Sequence, residues 1–180
     1  SPLGKNFAAI AGSLGADVTA VDATLEPDFD AKKIKDPNEG LKSKAVRAFA
    51  EKYITTREQV GVIMDPDADR ATVIAQNLQG QLVSLSGTQL LMLAMYNLAT
   101  YNPDKLPNTV VYDARTGISV NLLAEALKAN GYDIEAILAE PGYSNFHAAI
   151  SKYNAVIGSE QTCHGFLQYL TIKIWGASVD

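Results

Sequence analysis

Val60-Gly-Val-Ile-Met-Asp65-Pro-Asp67-Ala-Asp69-Arg70 carries the densest chemical information in this chain. Its apolar first half has the length and residue types of a buried strand. That run ends abruptly in three carboxylates at alternate positions, followed at once by a cation. Carboxylates packed so closely repel one another unless positive charge sits among them. A hard divalent ion such as Mg²⁺, which takes oxygen ligands, meets that need. Arg70 adds a rigid fork suited to phosphate or carboxylate. Asp65, Asp67 and Asp69 are therefore the candidate metal ligands, and a metal site built for phosphate chemistry is the first expectation.

Rival readings of the same stretch are weaker. An EF-hand calcium loop opens Asp-x-Asp-x-Asp but needs Gly at its sixth position and Glu at its twelfth. Arg70 and Gln76 stand there, which excludes it. The stretch also resembles in part the haloacid-dehalogenase-like phosphatases, which place Asp-x-Asp after an apolar strand but usually carry Thr or Val where Asp69 stands. A solvated acidic turn shaped by Pro66 is the plainest alternative. A turn, however, requires neither three alternating acids nor an arginine.

The bulk properties narrow the classes. A chain of 180 residues suits one large domain or two small ones. With 47% hydrophobic and 19% charged residues it can build a proper core. A net charge of −5 argues against a nucleic-acid partner. No apolar run approaches a membrane span and no secretory signal opens the sequence, so no membrane partner is expected. Cys163 is the single cysteine, so no internal disulfide can form, which suits a cytoplasmic location.

One pattern occurs twice. Phe7, Ile10, Ala11 and Leu14 recur at helical spacing before Gly15-Ala-Asp17-Val18-Thr-Ala-Val21, which reads as a helix stop and a strand. Val120, Leu123, Ala124 and Leu127 form a second stripe before Gly131-Tyr-Asp133-Ile134-Glu-Ala-Ile137. A further helix follows in each half, marked by Leu41, Ala45, Ala48 and Phe49 and by Phe146, Ala149, Ile150 and Tyr153. Each leads to a buried strand, Val60 to Met64 and Ala155 to Gly158, that ends in an acidic loop. The second such loop is Ser159-Glu160-Gln-Thr162-Cys-His164. Strands alternating with helices predict an α/β fold of two consecutive units with mixed, largely parallel sheets and flanking helices. Ligands of such sheets collect outside the carboxyl ends of the strands, where both acidic loops fall.

The two halves are not equally complete. Asn108-Thr-Val-Val-Tyr-Asp113 opens the second as a strand, whereas the first begins at Ser1 without one. Ala71 to Gln76 and Gln81 to Leu85 read as strands after the first acidic loop. A long helix then runs from Gly87-Thr88 to about Thr100, with Leu90, Leu91, Ala94, Met95 and Leu98 on its apolar face. The second half stops where a comparable helix would begin. The expectation is an internal piece of a longer protein, with residues 1–79 as one domain lacking its N-terminal strand and 80–180 as the next lacking its C-terminal helix.

These residues resemble the central part of the α-D-phosphohexomutases, the phosphoglucomutase and phosphomannomutase superfamily. Asp65-Pro-Asp67-Ala-Asp69-Arg70 is similar to that family's magnesium loop. Ser1-Pro-Leu-Gly4 resembles the turn opening its second domain, and Pro27-Asp-Phe29 and Asp36-Pro-Asn-Glu39 resemble the segments leading to the metal loop. Gly158-Ser-Glu160-Gln-Thr162-Cys-His164 resembles the sugar-specificity loop Gly-Gly-Glu-x-Ser-Gly-His. The resemblance covers essentially the whole chain and makes it most of domains two and three of a four-domain enzyme. It implies a Mg²⁺-dependent mutase interconverting hexose 1-phosphate and 6-phosphate through a phosphoserine and a hexose bisphosphate. The serine lies in the first domain, so this piece alone would be inactive without the remaining domains of the same protein. By the same resemblance Arg70 supports the metal loop or a phosphate, and Glu160, Thr162 and His164 contact the sugar.

Some positions depart from the family pattern. Thr162 replaces Ser but keeps a hydroxyl, Cys163 and Ser159 replace glycines, and Gly142-Tyr-Ser144 lacks a Lys often found in the preceding loop. The sugar end is thus less standard than the metal end. A phosphoglucosamine mutase and a non-catalytic sugar-phosphate or metal-binding derivative of the fold are the alternatives. His147 and Trp175 read as structural, and Arg115-Thr-Gly117 reads as the cap of a helix start rather than an anion site.

Overall fold

The computed structural model describes residues 3–21, 36–65, 70–160 and 165–167. The calls on Pro27 and Phe29, on Asp67, Asp69, Thr162, Cys163, His164 and on Trp175 fall outside them. The chain divides into two compact units, Ser1–Leu85 and Ser86–Asp180.

In the first unit, α1 spans Leu3–Ser13 and α2 spans Lys44–Tyr53, preceded by a 3₁₀ turn at Pro37–Lys42. The strands β1 (Gly61–Met64), β2 (Ala71–Gln76) and β3 (Leu82–Leu85) pair in that order as an antiparallel meander. Val46, Ala50 and Ile54 from the α2 segment pack with Ile63 and Ile74 to form the core. The alternation expected of a half-covered sheet holds along β1, where Gly61 and Ile63 are buried and their neighbours less so.

The described strands of this unit pair antiparallel, as suits the short connection between β1 and β2. Two expectations for the N-terminal segment need correction. Residues 16–21, read as a strand, have no regular structure. Strand propensity is expressed only where a neighbouring strand supplies hydrogen bonds and packing. The stripe on α1 also differs from a core face, since Phe7, Ile10 and Leu14 are exposed.

Gly40 shows how tightly the 3₁₀ turn approaches the sheet. Its φ of 48° suits only glycine, and a Cβ there would lie 2.8 Å from Cβ of Ser84 on β3. The approach holds Asp36, at the start of that turn, near the sheet's loop end.

The second unit begins at Ser86, which caps α3 (Gly87–Tyr101). Oγ of Ser86 accepts from the Gln89 backbone N–H at 3.3 Å, and the side-chain Oε1 of Gln89 accepts from the Ser86 N–H at 2.9 Å, a capping box. The first compact unit thus ends at Leu85 and the second opens on this cap. The strand β3 pairs with β2, and Thr72 Oγ1 of β2 donates to the Leu85 carbonyl at 2.6 Å.

Next come β4 (Thr109–Asp113), α4 (Ser119–Ala129), β5 (Glu135–Ala139), α5 (Tyr143–Tyr153), β6 (Ile157–Ser159) and β7 (Gly165–Leu167). The sheet order is β5-β4-β6-β7, parallel except for β7. Alternation along β4 sends its side chains to both faces. Val110 and Tyr112 pack under α3 and α4 with Leu91, Met95, Val120 and Ala124, whereas Val111 packs with Phe146 and Ile150 of α5. Four of the five β4 residues are buried, as expected of a central parallel strand covered on both sides.

Candidate functional site

In the first unit the site starts at the end of β1. Asp65 has no accessible surface, although it directly follows a strand that faces a loop. An ionised carboxylate survives burial only with strong partners. Arg70 provides two: its backbone N–H donates to Oδ1 at 3.2 Å and its Nε to Oδ2 at 2.7 Å. The Asp65 N–H in turn donates to the Arg70 carbonyl at 3.3 Å. The two ends of the acidic loop are thus bonded to each other through both backbone and side chain. Nη1 of Arg70 also reaches Oδ1 of Asp36 at 3.2 Å. That same Oδ1 accepts from the Asn38 N–H at 2.9 Å and so caps the 3₁₀ turn.

Asp36 was therefore a member of this cluster that the loop motif did not reveal. Its segment was read only as resembling one that leads to the metal loop, and its partner is 34 positions away. Among the described residues no cluster of three or more metal-ligating side chains occurs. Two of the three expected ligands, Asp67 and Asp69, lie outside them. The donor chemistry of the loop, carboxylate oxygens beginning with the buried Asp65, suits a hard cation.

In the second unit the carboxyl ends of two adjacent parallel strands bring a pair of acids together. Tyr112 of β4 is in register with Ser159 of β6, and the next residues on each strand are Asp113 and Glu160. Both are buried. Neighbouring strands lie about 4.8 Å apart, so the like charges need a cation. Arg115 supplies it from the 3₁₀ turn Ala114–Thr116: Nε lies 2.6 Å from Oδ2 of Asp113, and Nη2 lies 3.6 Å from Oε1 of Glu160. The first contact is a charge-assisted hydrogen bond, and the second is a longer ion pair. The Arg115 side chain keeps 41% of its surface exposed.

The reading of Arg115-Thr-Gly117 as a cap, centred on Thr116, gave no role to the Arg115 guanidinium. Asp113 makes no side-chain cap bond to the turn, and its carboxylate goes to the arginine instead. Asp-x-Arg at the end of an apolar run was the available signal, and it repeats the Asp–Arg pairing of the first unit. Thr162 and His164, the other expected sugar contacts, lie outside the described residues.

Ser159, one of the departures noted above, is a buried strand residue paired with both Tyr112 and Gly165. Its backbone is not in the left-handed region, so a side chain is tolerated there. Gly158 is different: a Cβ would meet the Val111 carbonyl oxygen and Cζ of Phe146, each at 2.8 Å.

Two α/β units carrying buried carboxylates at strand ends have the fold of part of a phosphohexomutase. A phosphoglucomutase/phosphomannomutase family protein from Burkholderia thailandensis superposes with a TM-score of 0.67 at 21% identity. The match covers 92% of this chain and 32% of that one. An N-acetylglucosamine-phosphate mutase of the α-D-phosphohexomutase superfamily, in the apo form, matches with a TM-score of 0.46 and 24% identity over 69% of this chain and 28% of its own. The Aspergillus fumigatus N-acetylphosphoglucosamine mutase in complex with GlcNAc-6P and magnesium matches with a TM-score of 0.46 and 18% identity, over 66% and 23%. The chain therefore spans about a third or less of the length of these proteins. No protein-family model and no curated protein matches the sequence. No helix among the described residues is long and apolar enough to cross a membrane.

Proposed function

We propose that this chain provides the metal-binding and sugar-binding units, domains two and three, of a cytoplasmic phosphohexomutase that interconverts hexose 1-phosphate and 6-phosphate. The observation carrying this reading is the fully buried Asp65, tied by Arg70 at the base of a loop that continues with Asp67 and Asp69. A surface turn has no use for a buried, doubly bonded carboxylate. A loop that must present several carboxylates in one arrangement does.

In this reading Asp65, Asp67 and Asp69 hold Mg²⁺, which neutralises phosphate oxygen charge when bound. Arg70 keeps the loop closed at its base, so the carboxylates are arranged before any ion arrives. Glu160 accepts hydrogen bonds from sugar hydroxyls, Thr162 donates or accepts, and His164 positions the ligand. The phosphorylated serine, and the domain that grips the substrate's second phosphate, belong to the rest of the protein. The hexose bisphosphate turns between two phosphoryl transfers. Glucose or mannose phosphate is the first choice of substrate and glucosamine phosphate the second. A non-catalytic derivative was suggested by the replaced glycines of the sugar loop. The strand position of Ser159 weakens it, since that replacement costs the backbone nothing.

The test has two arms. On this chain, Mn²⁺ binding followed by electron paramagnetic resonance should be lost in Asp67→Asn/Asp69→Asn. Equal binding by both forms would refute the metal assignment. On the full-length protein, glucose and mannose 1-phosphates should be converted to their 6-phosphates once a hexose bisphosphate primes the enzyme. Failure to convert any hexose phosphate, glucosamine phosphate included, would refute the activity.

A further inference from the structure

We propose that the second unit carries a separate site for a neutral monosaccharide, at the amino ends of its parallel strands. A cavity of about 340 Å³ lies there, lined by Pro107, Asn108, Thr109, Tyr153, Asn154 and Val156. That volume falls at the lower end of the range of small-molecule sites. Thr109 opens β4, and Val156 immediately precedes β6. Asp113 ends β4, about 13 Å away at the rise of a strand, so one small ligand cannot reach both ends of the sheet.

The lining selects the ligand. Its described residues include neither an ammonium nor a carboxylate, so a charged molecule would lose hydration there without gaining a counter-charge. An apolar molecule would cover two amides and the hydroxyls of Thr109 and Tyr153 without bonding them. A sugar ring meets both conditions: its C–H faces suit Pro107, Val156 and the Tyr153 ring, and its hydroxyls both donate and accept. The polar groups are also held in place before a ligand arrives. Nδ2 of Asn108 donates to Oδ2 of Asp133 at 2.6 Å, which orients the amide and leaves its oxygen as an acceptor. Nζ of Lys152 lies over the Tyr153 ring, 4.9 Å from its centre. Asn154 caps α5 with a left-handed backbone, φ 51°, and among the described residues its side-chain amide has no hydrogen-bond partner.

Titration of this chain with D-glucose, followed by two-dimensional NMR, should shift the side-chain amide signals of Asn108 and Asn154 with a Kd on the order of 1 mM. Inorganic phosphate at the same concentrations should leave both signals in place. Asn154→Gly keeps the left-handed backbone and removes the amide, so glucose binding, read at Asn108, should weaken about tenfold. If that variant does not fold, judged by its circular-dichroism melt, Tyr153→Leu decides in its place, with a similar weakening expected. No shift at either amide, an unchanged Kd in the deciding variant, or equal shifts with phosphate would overturn the site. Glucose shifts confined to Tyr112 and Ser159, at the other end of the strands, would also overturn it, while leaving the mutase reading in place.

Discussion

Gly158→Ala tests whether close packing beneath the second acidic loop is as tight as the structure shows. The added methyl would sit 2.8 Å from the Val111 carbonyl oxygen and 2.8 Å from Cζ of Phe146. Ordinary contacts of a Cβ begin at 3.4 Å, so each separation must grow by about 0.6 Å (3.4 less 2.8). Phe146 cannot simply turn away, because it is 2% exposed and wedged among Val111, Ala139, Ile150 and Ala155. The carbonyl belongs to β4, the central strand, whose position is set by its pairing on both sides. Overpacking of this kind typically costs 1–3 kcal/mol, and a backbone obstacle places this case near the upper end, at about 3 kcal/mol. For a chain of this size that corresponds to a Tm lower by roughly 6–12 °C. Urea and thermal unfolding followed by circular dichroism would measure it. Phe146→Leu combined with Gly158→Ala should recover about 1 kcal/mol relative to additivity, because one of the two obstacles is then removed. A Gly158→Ala protein within about 0.5 kcal/mol of the original would refute the argument, as it would mean that β4 and β6 separate freely.

Other changes probe the remaining contacts. Asp65→Asn should cost about 2 kcal/mol in urea unfolding, the usual scale for a hydrogen bond to a charged group, since Nε of Arg70 then faces a neutral amide. Tyr132→Phe should cost about 1 kcal/mol by removing the hydroxyl that donates to the Ala99 carbonyl at 2.8 Å. Glu58 accepts from its own backbone N–H and from Thr56, which holds its carboxyl below the ordinary glutamate value. Its contribution is therefore complete above the unfolded-state value and is lost as pH falls through the lower folded value. A two-dimensional NMR titration should show it ionising below the ordinary glutamate value, and ionisation at or above that value would refute the argument.

Much of the second unit was legible because its signals are local. The run Asn108 to Asp113 was read as a strand and is β4, and the helix read from Gly87-Thr88 to about Thr100 is α3. The strand Ala71–Gln76 was also read with its observed bounds. Periodicity and caps depend on neighbours within a turn or two of chain, so the sequence displays them directly. The same applies to Asp65 and Arg70, which meet because only a short loop separates them.

Partners distant in sequence needed the tertiary structure. Strand direction in the first unit was decided by pairing, because alternation along a strand says nothing of which neighbour it meets. The segment 16–21 has a strand's composition but no strand partner among the described residues. Arg70 meets Asp36 only because the glycine at position 40 lets a turn approach the sheet. The buried pair of Asp113 and Glu160 exists because β4 and β6, with a helix–strand–helix excursion between them, lie side by side in register. Residue type and spacing therefore announced the acidic loop and most of the elements. Which charges face which was decided by strand pairing, since electrostatic partners depend on separation in space rather than along the chain.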